Sequence, residues 1–353
     1  MDRKQIVIIG GGLAGSFMAA RLCHQGHEVT LIDDRTPTSA SRVAAGLYNV
    51  ITGRFGAKTW MAETLLSEIE SFYQIPEFQS LKAHVHPMPI YRPFREIQHY
   101  NKWLGKAEDP AFSKLVAFHE QPILPDQIDN PHGGIVILPC GWIDSRALVE
   151  SMQELLVRDY GLNLVETAIS YDQIDLAQKQ ISLGGIQERF DEIVFCEGPR
   201  LNDNPFFPQV EVIPNKGEIL RIEAPDLELP FVLSKKVYVI SHDDHTFIVG
   251  SNYENHPPHT DPTEAAKEEI SSHLQKAIRV PFRVVDQWAG IRPTTKNRRP
   301  IIGTHGQYPY AHILGGFGTK GMLLSAHFSR VLAERISGQA TPIPNEASLL
   351  RFG

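Results

Sequence analysis

The sequence predicts an α/β fold, a helix-covered parallel sheet joined to a second, strand-rich unit. Near the start, IVIIGGGLAGSFMAARLCHQGHEVTLIDDR (6–35) reads as strand, glycine turn, helix, strand and acid in one register. Near the end, HILGGFGTKGMLLSAHFSRVLAERISG (312–338) repeats the order of strand, glycine turn and helix. Between them, residues 75–135 shift to proline, histidine and aromatics, and residues 210–252 alternate in strands.

Residues 6–9 are a near-continuous apolar run, as a strand buried on both faces of a parallel sheet requires. Gly10-x-Gly12-x-x-Gly15 follows. Gly10 permits the tight turn, Gly12 lets a pyrophosphate reach the backbone, and Gly15 lets the helix lie against the strand. The helix start offers unpaired N–H groups and a partial positive charge to phosphates. A second strand, 28–32, delivers Asp33, with Asp34 beside it, at the spacing where a carboxylate accepts bonds from a ribose 2′-hydroxyl. This unit predicts a dinucleotide and leaves NAD and FAD both open.

Beyond it, residues 36–54 are polar and then small. Ser39, Ser41 and Arg42 are placed either to approach phosphates or to form an ordinary loop, and Ala44-Ala45-Gly46 would let a flat ring reach the backbone. Residues 58–73 carry apolar side chains at helical spacing. In GWIDSRALVESMQELLVRDYGLNLVET (141–167), Asp144 caps a helix that runs to residue 159, and a strand follows through 165. FDEIVFCEGPR (190–200) is a buried strand ending in Cys196-Glu197-Gly198. The His242-Asp243-Asp244-His245 tip reads as a hairpin turn rather than a metal site. Asp261 or Thr263 caps a charged helix. WAGIRPTTKNRRPIIG (288–303) is a strand, a basic solvated turn and a second strand. Gly315, Gly316, Gly318 and Gly321 then lead into the last helix, a second helix start suited to an electron-rich group.

The chain has 353 residues, 42% of them hydrophobic, enough for two or three domains. Its net charge of −7, with no basic block, disfavours large nucleic-acid surfaces. No apolar run reaches the roughly 18 residues that span a membrane. A binding strand at residue 6 leaves no room for a signal peptide. Cys23, Cys140 and Cys196 show neither metal nor redox spacing, so a cytoplasmic protein without a metal is expected.

In order and spacing, several segments carry a family likeness: GGGLAG with Asp33, AAGL at 44–47, the strand ending Cys196-Glu197-Gly198, and NKGEIL at 215–220. IVGSNYE at 248–254, WAGIRPTTKNRRPIIG and GGFGTKG at 315–321 complete the set. With these the chain resembles the D-amino acid oxidase-like flavoproteins, the group that contains glycine oxidase and sarcosine oxidase. The similarity covers roughly 5–60 and 136–340 and fades between about 70 and 130. It implies an FAD-binding Rossmann-like domain of residues 1–75, 136–205 and 288–353. A substrate domain of 76–135 and 206–287, built on a large antiparallel sheet, interrupts it. FAD would be noncovalent, because no cysteine lies between Arg292 and Gly316, the region that supplies a covalent link in sarcosine oxidase.

Carried over by position, the resemblance puts Gly10, Gly12, Leu13, Ala14 and Gly15 at the pyrophosphate and Asp33, with Asp34, at the ribose. Arg42, Ala44, Ala45, Gly46 and Leu47 lie along the phosphates and flavin, Ile169 presents its backbone near adenine, and Cys196, Glu197 and Gly198 close the cofactor site. The turn Gly316, Phe317, Gly318, Thr319, Lys320, Gly321 and Met322 aims N–H groups at the pyrimidine edge of the ring, where reduction places negative charge. Arg292 binds the substrate carboxylate, bordering the flavin, with Tyr238 as helper. The implied activity is oxidation of a small amine or amino acid by hydride transfer from the carbon next to nitrogen to flavin N5. Oxygen or another acceptor would reoxidise the flavin, with hydrogen peroxide as the product from oxygen. Two departures stand out: Cys196-Glu197-Gly198 replaces the family's more usual Ala-Thr/Ser-Gly, and Gly318-Thr319-Lys320 replaces a bulkier stretch of glycine oxidase. That turn is closer to the oxidase module of the bifunctional tRNA wobble-uridine modification enzyme. A tRNA oxidase acting on a carboxymethylaminomethyl uridine and a non-catalytic flavin-binding protein therefore stand as alternatives. The oligomeric state is left open.

Overall fold

The computed structural model of the protein describes residues 2–53, 56–257 and 259–352; Arg54, the end of the polar loop read above, lies outside them. Strand Gln5–Ile9 runs through the middle of a six-stranded sheet. Glu28–Asp33 and Asn163–Glu166 lie to one side of it; Glu192–Phe195, Ala311–Gly315 and Ile301–Thr304 lie to the other. Pairing is parallel except at the Ile301–Thr304 edge. Chain order reverses between Gln5–Ile9 and Glu192–Phe195, and such a reversal opens a crevice at the carboxyl ends of the strands.

The unbroken apolar run of the first strand has partners on both faces. Ile6 and Ile8 pack with buried residues of helices Leu13–His24, Ser145–Tyr160 and Gly321–Ile336. Val7 and Ile9 pack with Ile174, Ile181 and Phe207 under a small three-stranded meander. Each such side chain contributes roughly 1.5–3 kcal/mol on burial. Asp144 caps Ser145–Tyr160, accepting a bond from the Ala147 N–H at 3.0 Å. Of the two candidate caps for Glu264–Gln275, Thr263 takes the role, accepting from the Ala266 N–H at 3.3 Å. No helix among the described residues is long and apolar enough to cross a membrane.

The second sheet has nine strands among the described residues. Its spine, Ile213–Glu223, pairs with Arg283–Thr294 on one edge and with Thr246–Gly250 and Glu254–Asn255 on the other. The sheet continues through Val237–Asp243, Val232–Lys235, Ile90–Pro93, Gly134–Ile137 and Val116–His119. The sheet is antiparallel, as expected, except where Val232–Lys235 runs parallel to Ile90–Pro93. Those two strands are distant in sequence, so no hairpin imposes opposite directions. Two expected domain boundaries also fall inside continuous strands. Residue 288 sits within Arg283–Thr294, whose pairing with the spine runs on to Thr294, and residues 135 and 136 both belong to Gly134–Ile137.

Candidate active site

At the crevice, the glycine turn is shaped by what surrounds each Cα. Gly10 has φ +97°, and a Cβ there would lie 2.5 Å from the Cys196 carbonyl oxygen. A Cβ on Gly15 would lie 1.8 Å from the Gly10 carbonyl oxygen, so strand and helix meet backbone to backbone. At Gly11 it would meet the Asp33 side chain at 2.7 Å, and at Gly12 the Ser41 Oγ at 2.8 Å. Asp33 accepts from the Gly11 N–H at 3.2 Å and pairs with Arg42 at 3.1 Å. Ser41 Oγ accepts from the Leu13 N–H at 2.9 Å.

The second helix start lies beside the first. A Cβ on Gly321 would sit 3.4 Å from Leu13 Cδ1, and Gly316 and Gly318 take φ of +69° and +54°. Among the described residues no side chain caps Gly321–Ile336, so its first-turn N–H groups have no side-chain partner there. Phe317 and Met322 are buried in the helix-side core with Leu13, so these three offer a ligand their backbone; Ala14 packs against the same core and Thr319 is exposed. Burial holds the Lys320 ammonium below the usual lysine pKa, and Arg299 and Arg298 add to the effect.

Arg42 is committed to two carboxylates, Asp33 and, at 3.2 Å, Glu150, rather than projecting alone along a phosphate path. Asp34 turns onto its own loop, accepting from the Thr36 N–H and hydroxyl; burial opposes its ionisation, but these bonds and Arg200 outweigh it and keep the pKa low. Ile169 has its side chain in the core, and its carbonyl accepts from Arg200 at 3.1 Å. Burial pushes the Glu197 carboxyl up to about 7, against hydrogen bonds from Asn204 at 2.8 Å and Tyr171 at 3.0 Å. Cys196 is buried, which raises its thiol pKa, and Gly198 takes φ +59°.

Gly46 has φ +67°, and a Cβ there would lie 1.8 Å from the Ile143 carbonyl oxygen. The Ala44 carbonyl accepts from the Ser145 hydroxyl at 3.4 Å. Ala45 and Leu47 pack with Tyr238 and Trp288 in a cluster shared with the second sheet. Trp288 donates its indole N–H to the Val43 carbonyl at 2.9 Å. The 39–47 segment thus joins the crevice to the strand bearing Arg292.

Arg292 sits opposite Asn215 in the register of the two longest strands. Its Nη1 donates to Asn215 Oδ1 at 2.7 Å and to the Asn252 carbonyl at 3.5 Å; its Nη2 donates to Ser251 Oγ at 2.7 Å. The guanidinium lies across Gly217, where a Cβ would come within 1.8 Å of Nη2, and under the Tyr253 ring at 4.7 Å from its centroid. Among the described residues it has no carboxylate partner, so its charge is held in place but not neutralised. The Tyr238 hydroxyl lies over Gly250, 2.6 Å from where a Cβ would be, and bonds Ser251. Burial raises its pKa despite Arg292, so the phenol keeps its proton. Arg292 and Tyr238 are therefore brought together through one serine. Sequence reasoning missed Asn215, Gly217, Ser251, Asn252 and Tyr253. The available signal was the polar residues inside NKGEIL and IVGSNYE, because a polar side chain on a buried strand needs a partner.

The donor set suits FAD. Two helix starts lie at the carboxyl ends of the parallel strands of one sheet, glycines stand where a Cβ would collide, and the carbonyl oxygen of the Gln153 side chain is buried without a partner among the described residues while its amide bonds the Gly11 carbonyl and the Ser16 hydroxyl. The family described as FAD dependent oxidoreductase (DAO) matches residues 5–335. The bifunctional protein ThiO/ThiG of Nostoc sp. (strain PCC 7120) is 28% identical over 95% of this chain and 53% of its own length. The tRNA 5-methylaminomethyl-2-thiouridine biosynthesis bifunctional protein MnmC of Idiomarina loihiensis is 22% identical over 98% of this chain and 58% of its own. The chain thus spans about half the length of these curated relatives. Glycine oxidase from Bacillus cereus ATCC 14579 shares the fold, with a TM-score of 0.78 at 18% identity over 96% of both chains.

Proposed function

The chain belongs to the FAD dependent oxidoreductase family, and on that premise we propose that it oxidises a small amine or amino acid whose carboxylate docks on Arg292. FAD, bound noncovalently in the crevice, supplies the acceptor for a hydride from the carbon next to the amine nitrogen. The Leu13–His24 helix start would hold its pyrophosphate, Asp33 its ribose, and the 316–321 turn with Lys320 the ring edge, where a helix start stabilises added negative charge. The observation that carries the reading is an arginine fork anchored only by neutral acceptors. A guanidinium so held is preorganised for a planar carboxylate. The protonated Tyr238 hydroxyl donates to the same carboxylate. Ile219, Ile240, Ile248 and Trp288 line the adjoining face and exclude water. Orientation and electrostatics supply the catalysis, and no side chain is assigned as a base. Oxygen is the proposed acceptor and hydrogen peroxide its product.

The test is an anaerobic screen of amino acids, N-methyl amino acids and carboxylate-free amines against the yellow holoprotein. Bleaching by carboxylate-bearing amines is expected. A fully FAD-loaded protein that no amine bleaches would point instead to a non-catalytic flavin-binding protein.

One observation favours a second reading, an amine carried on tRNA, as the name of the Idiomarina loihiensis relative suggests. Arg298, Arg299, Lys320 and Arg351 gather without an ion pair to any carboxylate among the described residues, and Arg299 depresses the pKa of both Lys320 and Arg351, in each case adding to burial. RNA binding that weakens steeply with salt, and that is lost in Arg298→Ala, would select this reading.

A further inference from the structure

We propose that Lys216 is a positioning residue that sets the carboxylate clamp from the opposite face of the sheet; this rests on the reading of Arg292 as the clamp. Alternate residues of a strand point to opposite faces. Asn215, Gly217 and Ile219 face Arg292 and the apolar cluster around Tyr238, whereas Leu220 and Ile222 pack against Ile270 and Leu274 of helix Glu264–Gln275. Lys216 and Glu218 share that second face and are both fully buried.

Lys216 Nζ lies 3.3 Å from Glu218 and 2.9 Å from Glu254, and donates to the Asp261 carbonyl at 3.3 Å. Burial works to lower the ammonium's pKa, but the two carboxylates outweigh it and hold it raised. Glu254 belongs to the short segment that supplies Ser251 Oγ and the Asn252 carbonyl to Arg292 and the Tyr253 ring above it. That segment is fastened to the spine by further ties. Asn252 Oδ1 accepts from the Glu218 N–H at 2.8 Å, Asn215 donates to Asn255 Oδ1 at 2.7 Å, and the two backbones pair at Asn215–Asn255 and Lys216–Glu254. Of these ties the Lys216–Glu254 ion pair is the one made on the far face, between side chains paired directly across the two strands. Removing it loosens the segment that carries the acceptors of Arg292 without touching Arg292.

The network also keeps the test informative. Glu218 is bonded by the Thr263 N–H at 2.8 Å, the Thr263 hydroxyl at 2.9 Å and the Gln287 amide at 2.8 Å. Lys216→Met therefore leaves the buried Glu218 with three donors, and the part-exposed Glu254 turns to water.

The experiment titrates acetate and benzoate against FAD-loaded wild type, Lys216→Met, Lys216→Arg and Glu254→Gln, following flavin absorbance, with hydrogen exchange of residues 251–255 in parallel. Lys216→Met should retain FAD and bind both carboxylates roughly ten- to a hundred-fold more weakly, as misplacement of a binding group does. Its 251–255 amides should exchange faster. Lys216→Arg should recover most of the affinity, and Glu254→Gln should fall between. In turnover, KM for carboxylate-bearing amines should rise more than kcat falls, with carboxylate-free amines unaffected. Should Glu254→Gln and Lys216→Met both bind like wild type, or should all substrates suffer alike, Lys216 is not a positioning residue. A wild type that answers to neither carboxylate removes the clamp and this role together.

Discussion

The two ends of the site are built in opposite ways. The cofactor end is backbone meeting backbone: Gly10, Gly15 and Gly46 stand where a Cβ would strike a carbonyl oxygen at 2.5, 1.8 and 1.8 Å. The proposed substrate end is side chain meeting side chain: Arg292, Asn215, Ser251 and Tyr238 come from four strands or loops and meet because the register of a long sheet puts them together. The first is specified by what is missing from the residues, the second by what is present. Changes at the first should therefore act on whether the site exists, and changes at the second on how well it works.

The sharpest break of that contrast is Gly15→Val. With the Gly10 carbonyl 1.8 Å from the added Cβ, the helix must leave the strand, and colourless or insoluble protein is expected in a flavin-to-protein absorbance ratio. A yellow, soluble Gly15→Val would dissolve the distinction.

Arg292→Lys keeps charge but loses the fork. FAD content and Tm should hold, while carboxylate substrates lose roughly 2–4 kcal/mol of transition-state binding in stopped-flow flavin reduction. A large drop in Tm would return this arginine to a purely structural role. Gly217→Ala sharpens the comparison, because it is a glycine at the substrate end. Its Cβ strikes Arg292 Nη2, the far end of a long side chain and not backbone, so the fold should survive while the guanidinium is pushed off its acceptors and carboxylate affinity falls by a little less than in Arg292→Lys. Asp33→Ala is expected to cost roughly 1–3 kcal/mol of FAD affinity, as loss of a charged hydrogen bond does, measured by equilibrium dialysis.

The smallest effect belongs to Glu197, a side-chain group at the backbone end. Its carboxyl is raised from 4.5 to about 7, so the folded protein binds that proton more tightly than the unfolded chain. Stability from this group is full below about pH 4.5, falls as pH rises through 7, and then levels off. Glu197→Gln should flatten that portion of a Tm-against-pH curve; an unchanged slope would assign it to other groups.

Legibility in the sequence follows the same division. The strand, glycine turn, helix and Asp33 lie within about thirty contiguous residues, and local rules suffice to place them. The caps Asp144 and Thr263 are equally local. Arg292 and Tyr238 were reached only through resemblance, and Asn215, Ser251 and Asn252 not at all. Their meeting depends on which residue of 213–223 faces which residue of 283–294, a register that spans some seventy positions of chain. The parallel pairing of Val232–Lys235 with Ile90–Pro93 was hidden for the same reason. Arg42 was expected along the phosphates, yet its partners Asp33 and Glu150 come from two different elements.

The seam between the 39–47 segment and strand Arg283–Thr294 couples the crevice to the second sheet. Val43 accepts the Trp288 indole N–H and presses on Gly290 where a Cβ would stand 2.1 Å away, and Ser39 bridges to Ile291, one residue short of Arg292. Both halves of the molecule therefore share this seam: a side chain larger than Val43 would press on the strand that carries Arg292 as well as on the loop that borders the crevice.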